Sequence, residues 1–348
     1  MTLPQFGLNR FDWRSPEHFA TDVARAEALG WNWALIPASS MKIQDPYVNL
    51  SFAAARTDRI GLGVLLDNPV VRHPAVLASS IATVERMAPG RTLLTLGVGD
   101  TAVRLVGSRP ARVATLEAAT AQVRQLMTGE PVEVGAAHPA RMEYPATAPV
   151  WIAAGGPRTL RMAGRVADGV FLRVGTHTAN LRNAYAEVCA GAREAGRDPE
   201  DVRIGLIFHV VLEEDSAKAA LIARSMAAGY YEYSPMLFDA PGFVWDGPPC
   251  EELKARVWPD FHHHPKLEES GALVAFLSDE IADAFAIYGS PDSVAQQLAG
   301  VLDQGIPCDI LVPHPMPTPR FKGPRPDYMQ RFSEEVLPRL RALHGEAG

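Results

Sequence analysis

The chain has 348 residues, 47% of them hydrophobic and 21% charged, which fits a folded globular protein of one large or two ordinary domains. A net charge of −7, with no basic stripe, argues against nucleic acid or an anionic membrane surface as a partner. The widely spaced Cys189, Cys250 and Cys308 form neither a disulfide framework nor a zinc pattern; with no secretory start and no apolar run long enough to span a bilayer, they point to the cytoplasm.

Short apolar runs alternate with longer helical patterns. Strands are expected at 3–8, 32–37, 60–65, 92–97, 149–154, 169–173, 203–212 and 308–313. Helical periodicity fills 16–30, 46–57, 74–88, 111–128, 157–167, 178–196 and 290–304. Near-continuous apolar strands alternating with helices imply parallel units, and eight of them predict an α/β (β/α)8 TIM barrel in a single domain, 1–348. An open doubly wound sheet is the alternative, weakened because no G-x-G-x-x-G follows the first strand. A Pro-, Gly- and Ala-rich connection occupies 129–148, and 229–289 reads as an insertion between strands seven and eight, placed where a lid would stand.

Three strand ends carry chemistry. In "WIAAGGPRTL" the fifth strand stops at Gly155 and Gly156, and Pro157 opens a helix. A tight turn would look the same, but so would a phosphate site, because helix N-terminal amides bind anions and glycine removes the side chains that would block them. "LGVGDTAVRL" ends strand four with Gly97, Val98, Gly99, Asp100 and Thr101, either a helix cap or a second small-residue wall. In "LGVLLDNPVVRHP", Leu65 and Leu66 precede a polar turn with Asp67, Asn68, Arg72 and His73; the leucines suit a bulge facing a ligand, and His73 suits a loop or cap.

Together these segments resemble the luciferase-like (bacterial luciferase) superfamily of oxidoreductases, most of all its methylenetetrahydromethanopterin reductase and F420-dependent dehydrogenase branch. The resemblance is carried by about 30–210 and returns weakly at 285–313. It implies a barrel holding coenzyme F420, a 5-deazaflavin, or alternatively FMN at its C-terminal mouth. Ala153, Ala154, Gly155 and Gly156 match the segment at the cofactor's phosphate-bearing chain. Gly97, Val98 and Gly99, with Asn68 and Thr101, match further cofactor walls, and Leu65–Leu66 matches a non-prolyl cis-peptide bulge behind the ring. Asp100 falls where the deazaflavin dehydrogenases carry a proton-transfer acid. Ser39 departs from the pattern: relatives commonly have Asp or His there, and a hydroxyl is a poor general acid at neutral pH. The acid role then passes to Asp100, or to His314 in "VPHPMP".

Other features read as a solvated or packed loop, as interior packing or as a helix surface. "HHH" at 262–264 with Glu268 does not converge naturally on an ion, so no metal is expected, and His209 reads as an interior histidine. The segment 334–341 reads as the outer face of a final helix. The expected activity is hydride transfer between F420 or flavin and a small organic substrate, by a protein that the resemblance makes a homodimer. One alternative is a two-component monooxygenase using reduced FMN, oxygen and a separate flavin reductase. A cofactor-holding subunit without catalysis is the other.

Overall fold

The computed structural model describes residues 3–317 and 328–345. Its strands are β1 (Gln5–Leu8), β2 (Trp33–Ile36), β3 (Gly61–Asp67), β4 (Thr92–Leu96), β5 (Val150–Ala154), β6 (Gly169–Leu172), β7 (Arg203–Leu212), β8 (Ala286–Gly289) and β9 (Ile310–Pro315). Among them run α1 (Pro16–Ala28), α2 (Pro46–Ala54), α3 (Pro74–Met87), α4 (Thr101–Arg104), α5 (Val113–Met127), α6 (Pro157–Val166), α7 (Thr178–Glu194) and α8 (Ser216–Tyr233). The repeating parallel strand–helix unit is that of a (β/α)8 barrel, the predicted class.

Helix starts follow local chemistry. Proline opens α1, α2 and α3, and the preceding Ser15, Asp45 and His73 each accept a backbone N–H of the first turn. His73 is therefore a cap, as expected of it. Strands such as β4 (TLLTL) and β6 (GVFL) are buried at every residue, which accounts for their unbroken apolar sequence.

The chain divides into two compact units. One comprises Gln5–Phe171 and Glu187–Gly205; the other comprises Leu172–Ala186 and the chain from Leu206 on. We call them the N-terminal and C-terminal units. In the N-terminal unit the strand order is β6-β5-β4-β3-β2-β1, with parallel pairings from β1 through β5. Helix α6 is seated closely: a Cβ on Gly164 would stand 2.0 Å from the Val188 carbonyl oxygen.

In the C-terminal unit β7 pairs in parallel with β8, with His209 opposite Ala286 and Leu212 opposite Gly289. Val211, Ile222, Met226, Leu267, Ala286 and Met316 belong to one apolar core there. The sequence reading needs two corrections in this unit. Residues 229–289 are not wholly insertion, since α8 continues to Tyr233 and β8 occupies Ala286–Gly289. Only two residues separate β8 from the helical turn Asp279–Asp283, so its apolar residues run on from a helical segment instead of standing apart as a strand. Phe332, Val336, Leu337 and Leu340 are buried in the final helical segment, with the charged residues on its other face as predicted. Among the described residues no helix is long and apolar enough to cross a membrane.

Candidate functional site

Strand β3 keeps register with β4 up to Val64 opposite Leu94, then resumes with Asp67 opposite Leu96, so Leu65 and Leu66 form the expected bulge. The peptide between them is cis. The bulge is tied to its neighbours through the backbone. The Leu66 carbonyl accepts the Ala38 N–H at 3.2 Å, and the Asp67 carbonyl accepts the Gly97 N–H at 3.0 Å. A Cβ on Gly97 would lie 3.0 Å from the Leu66 side chain and 3.6 Å from the Ala153 carbonyl oxygen. The ends of β2, β3, β4 and β5 therefore converge, and they bring Leu65, Leu66, Gly97 and Ala153 together.

Around this junction, Asn68 is buried and its side-chain oxygen accepts the Val70 and Val71 amides at 3.1 and 2.9 Å. Gly99 sits at φ 80°, where a Cβ would also strike Val103. The Val98 carbonyl accepts the Ala111 amide at 2.8 Å. At the end of β2, the Ser39 hydroxyl oxygen is buried and has no hydrogen-bond partner among the described residues. An unmet buried hydroxyl is costly unless a ligand completes it.

Ala153 and Ala154 close β5, and Gly155 and Gly156 follow, both partly exposed. Gly156 caps α6 at φ −88° with no side-chain bond to the helix, and neither glycine has a positive φ. The turn therefore does not demand glycine, and what remains is small size at a helix start. Asp100 precedes α4 without capping it, is half-exposed, and accepts Arg104 Nε at 2.5 Å; Thr101 is the first residue of α4.

A buried charge network that the motifs did not single out lies just past the bulge. Asp67 is 1% exposed. Its carboxylate accepts the Tyr47 hydroxyl at 3.0 Å and the Asn68 amide at 2.8 Å, and Arg72 Nε stands 3.2 Å away. Arg72 also bonds Asp45, which caps α2, and its guanidinium lies 5.1 Å from the Tyr47 ring centroid. Burial raises the Asp67 carboxyl to about 6, against the lowering effects of the Asn68 amide, Arg72 and Tyr47. The available signal was an acid directly after an apolar run, which is easily taken for an ordinary turn residue.

The C-terminal unit gathers imidazoles. His314, on β9, lies 5.4 Å from His209 on β7, ring to ring, and His209 lies 4.9 Å from His262. Tyr230 packs 5.5 Å from His262, whose ring fills the space that a side chain at Gly229 would need. Neither His262 ring nitrogen has a hydrogen-bond partner among the described residues, and burial drives its pKa well below the usual histidine value. His209 is interior, as predicted. No His/Cys/Asp/Glu group among the described residues is arranged to hold a metal.

A barrel-type α/β protein with a bulged, small-residue junction and an unmet hydroxyl is a small-molecule enzyme in outline. The comparisons specify it. Residues 12–307 match the luciferase-like monooxygenase family, and the chain belongs to that family. It is 29% identical over 275 residues to 5,10-methylenetetrahydromethanopterin reductase of Methanolobus tindarius, covering 76% of this chain and 80% of that protein. It is 30% identical over 313 residues to F420-dependent glucose-6-phosphate dehydrogenase of Amycolatopsis mediterranei, covering 83% and 82% respectively. The solved coenzyme F420 dependent tetrahydromethanopterin reductase of Methanopyrus kandleri superposes with a TM-score of 0.75 at 23% identity, over 97% of this chain and all of that one.

Proposed function

We propose that this protein is an F420-dependent oxidoreductase that moves a hydride between coenzyme F420 and a small organic substrate. The cis Leu65–Leu66 bulge at the meeting of four strand ends carries the reading, in a chain whose relatives bear F420-dependent names. The residues fit such a group: Leu65 and Leu66 would back a flat ring, and Asn68, Gly97, Val98, Gly99 and Thr101 would wall it. The amides following Ala153, Ala154, Gly155 and Gly156 would take an anionic chain, and the unmet Ser39 hydroxyl would bond the ligand. The deazaflavin supplies the hydride chemistry, and the protein binds and orients it.

Oxidising an alcohol also releases a proton from its oxygen, and reducing a carbonyl takes one up. Asp100, held by Arg104, is the proposed handler of that proton, and the imidazole of His314 is the alternative to it. Ser39 contributes a hydrogen bond in place of an acid.

The test is fluorescence titration of the purified apoprotein with F420 and with FMN. Saturable F420 binding tighter than FMN binding is expected, and undetectable F420 binding overturns the reading. The family's monooxygenase description favours a second reading, an FMN enzyme with a separate flavin reductase. That reading requires turnover with reduced FMN to depend on oxygen. The three cysteines are free, which agrees with a reducing compartment such as the cytoplasm. We further place a second copy of the chain on the outer faces of α2 and α3. Helix α2 carries no charged residue, and Val48, Phe52, Val76 and Met87 are exposed there. Sedimentation of Phe52→Glu should then report a monomer where the unaltered chain reports a dimer.

A further inference from the structure

We propose that Asp67 is the positioning residue of the cofactor cradle, its ionised carboxylate holding the Leu65–Leu66 bulge and Asn68 in the arrangement that binds the cofactor. The proposal rests on the F420 reading above.

The geometry makes Asp67 a hub. Its carbonyl receives the Gly97 amide of the strand-four end, and the preceding Leu66 carbonyl receives the Ala38 amide beside Ser39. Its side chain receives three donors from two other places: the Tyr47 hydroxyl of α2, and the Asn68 amide and Arg72 guanidinium of the following loop. The carboxylate thus anchors, to α2 and to the following loop, the stretch of β3 whose backbone ties the ends of β2 and β4. Tyr47 and Asp45 at the start of α2, with Arg72, are the titratable and charged groups that face it.

The fold itself does not need this charge. Arg72 already pairs with Asp45, and an asparagine would accept the Asn68 amide with its one oxygen while its amide nitrogen donates to the Tyr47 oxygen. Burial instead works against the ionised form, lifting the carboxyl to about 6. An acid whose folded pKa is raised favours the folded state below its unfolded pKa, and that advantage is lost as pH rises through about 6. At pH 8 the protein thus keeps a carboxylate that weakens it, a pattern found where a group serves function.

The experiment is Asp67→Asn, with F420 binding to the apoprotein followed by fluorescence at pH 8 and pH 5, and melting followed at both. At pH 8 the dissociation constant should rise about tenfold, the size of one lost charge-assisted contact. At pH 5, where wild-type Asp67 is largely protonated, the two proteins should agree within about twofold. Melting at pH 8 should not fall, and should rise by a few degrees if the ionised form is the costly one. Equal affinities at pH 8, or an equal loss at both pH values with lowered melting, would overturn the proposal, the latter marking a purely structural role. Should Asp67→Asn fail to fold, Tyr47→Phe decides: a weakening of F420 binding at pH 8 and not at pH 5 supports the proposal, and unchanged binding overturns it. If the wild type binds no F420, the cofactor reading falls and this proposal with it. If the wild type binds and the variants match it, this proposal alone falls.

Discussion

Each unit of the molecule buries an ionisable side chain beside its candidate chemistry, and the two are treated in opposite ways. Asp67 in the N-terminal unit receives a hydroxyl, an amide and a guanidinium. His262 in the C-terminal unit is packed among rings, with neither nitrogen bonded to any described residue. Burial works against charge in both places, raising the acid to about 6 and driving the base well below its usual value. The donors around Asp67 leave it ionised at neutral pH, whereas His262 stays neutral. Their pH signatures therefore have opposite signs. The Asp67 contribution, about 3 kcal/mol across its shift from 3.8 to about 6, is present at low pH and lost as pH rises. The His262 contribution is present above the unfolded histidine pKa and is lost as pH falls below it. Partners, more than burial, decide which buried group can answer to pH near neutrality.

The sharpest way to break this contrast is to show that the N-terminal unit binds no anion. Gly156→Asp places a carboxylate at the start of α6, where aspartate is a good cap and the observed φ of −88° is open to it. The apoprotein should melt as before or slightly higher. Repulsion between that carboxylate and a ligand phosphate ~4 Å away is about 4 kcal/mol at an effective dielectric of 20, roughly a thousandfold in affinity. Undiminished F420 binding would remove the phosphate role from the β5 end. Asp100→Asn comes next. General acid–base catalysis contributes about 10²–10⁴-fold, and the half-exposed, Arg104-paired carboxylate places the expected loss in turnover near the lower end, about 10²-fold. Cofactor affinity should hardly move. Full activity would leave the proton to His314.

The fold was legible because the parallel units are long and their strands are apolar throughout: β7 was bounded correctly at 203–212, and β2, β4, β5 and β6 to within a residue or two. β8 was not, because only two residues separate it from the helical turn Asp279–Asp283 and its apolar residues run on from that segment. The bulge at Leu65–Leu66 was legible through the resemblance and the polar turn after it. The Asp67 network was hidden for another reason. Tyr47, Arg72 and Asp45 reach it from other positions in the chain, and nothing local distinguishes a buried aspartate from one at an exposed turn. Likewise "HHH" reads as a solvated or packed loop, and nothing local to it singles out His262 as the one of the three that is buried.

The C-terminal half of the contrast is sharpened by His262→Leu. Replacing an imidazole with two unbonded nitrogens by an apolar side chain of similar volume should leave stability at pH 7 unchanged or raised. Between pH 6.5 and 5 the wild type should weaken by up to about 1.4 kcal/mol per pH unit from this one group, and the variant should not. Denaturant titrations at pH 7, 6 and 5 measure this slope. Parallel slopes in the two proteins would mean that His262 does not remain neutral in the folded state.

The smallest expected effect separates the charge of Asp67 from the packing around it. Tyr47→Phe keeps the ring beneath the Arg72 guanidinium, 5.1 Å from its centroid, and removes only the hydroxyl bonded to Asp67. One of three donors to the carboxylate is lost, so the carboxyl should rise above about 6, since Tyr47 is among the groups that lower it. A hydrogen bond to a charged acceptor is worth about 1.5–3 kcal/mol, and relaxation of Arg72 towards Asp67 should leave a net loss of about 1 kcal/mol at pH 8. At pH 5 the acceptor is largely protonated, and the loss should shrink to a few tenths of a kcal/mol. Asp67→Asn is expected to change melting at pH 8 in the opposite direction. Substitutions at the two ends of the Tyr47–Asp67 hydrogen bond should therefore shift apoprotein stability with opposite signs at pH 8 and converge at pH 5. Melting curves of both variants at the two pH values provide the check: a shared sign at pH 8 would mean that Asp67 is not held ionised against its burial.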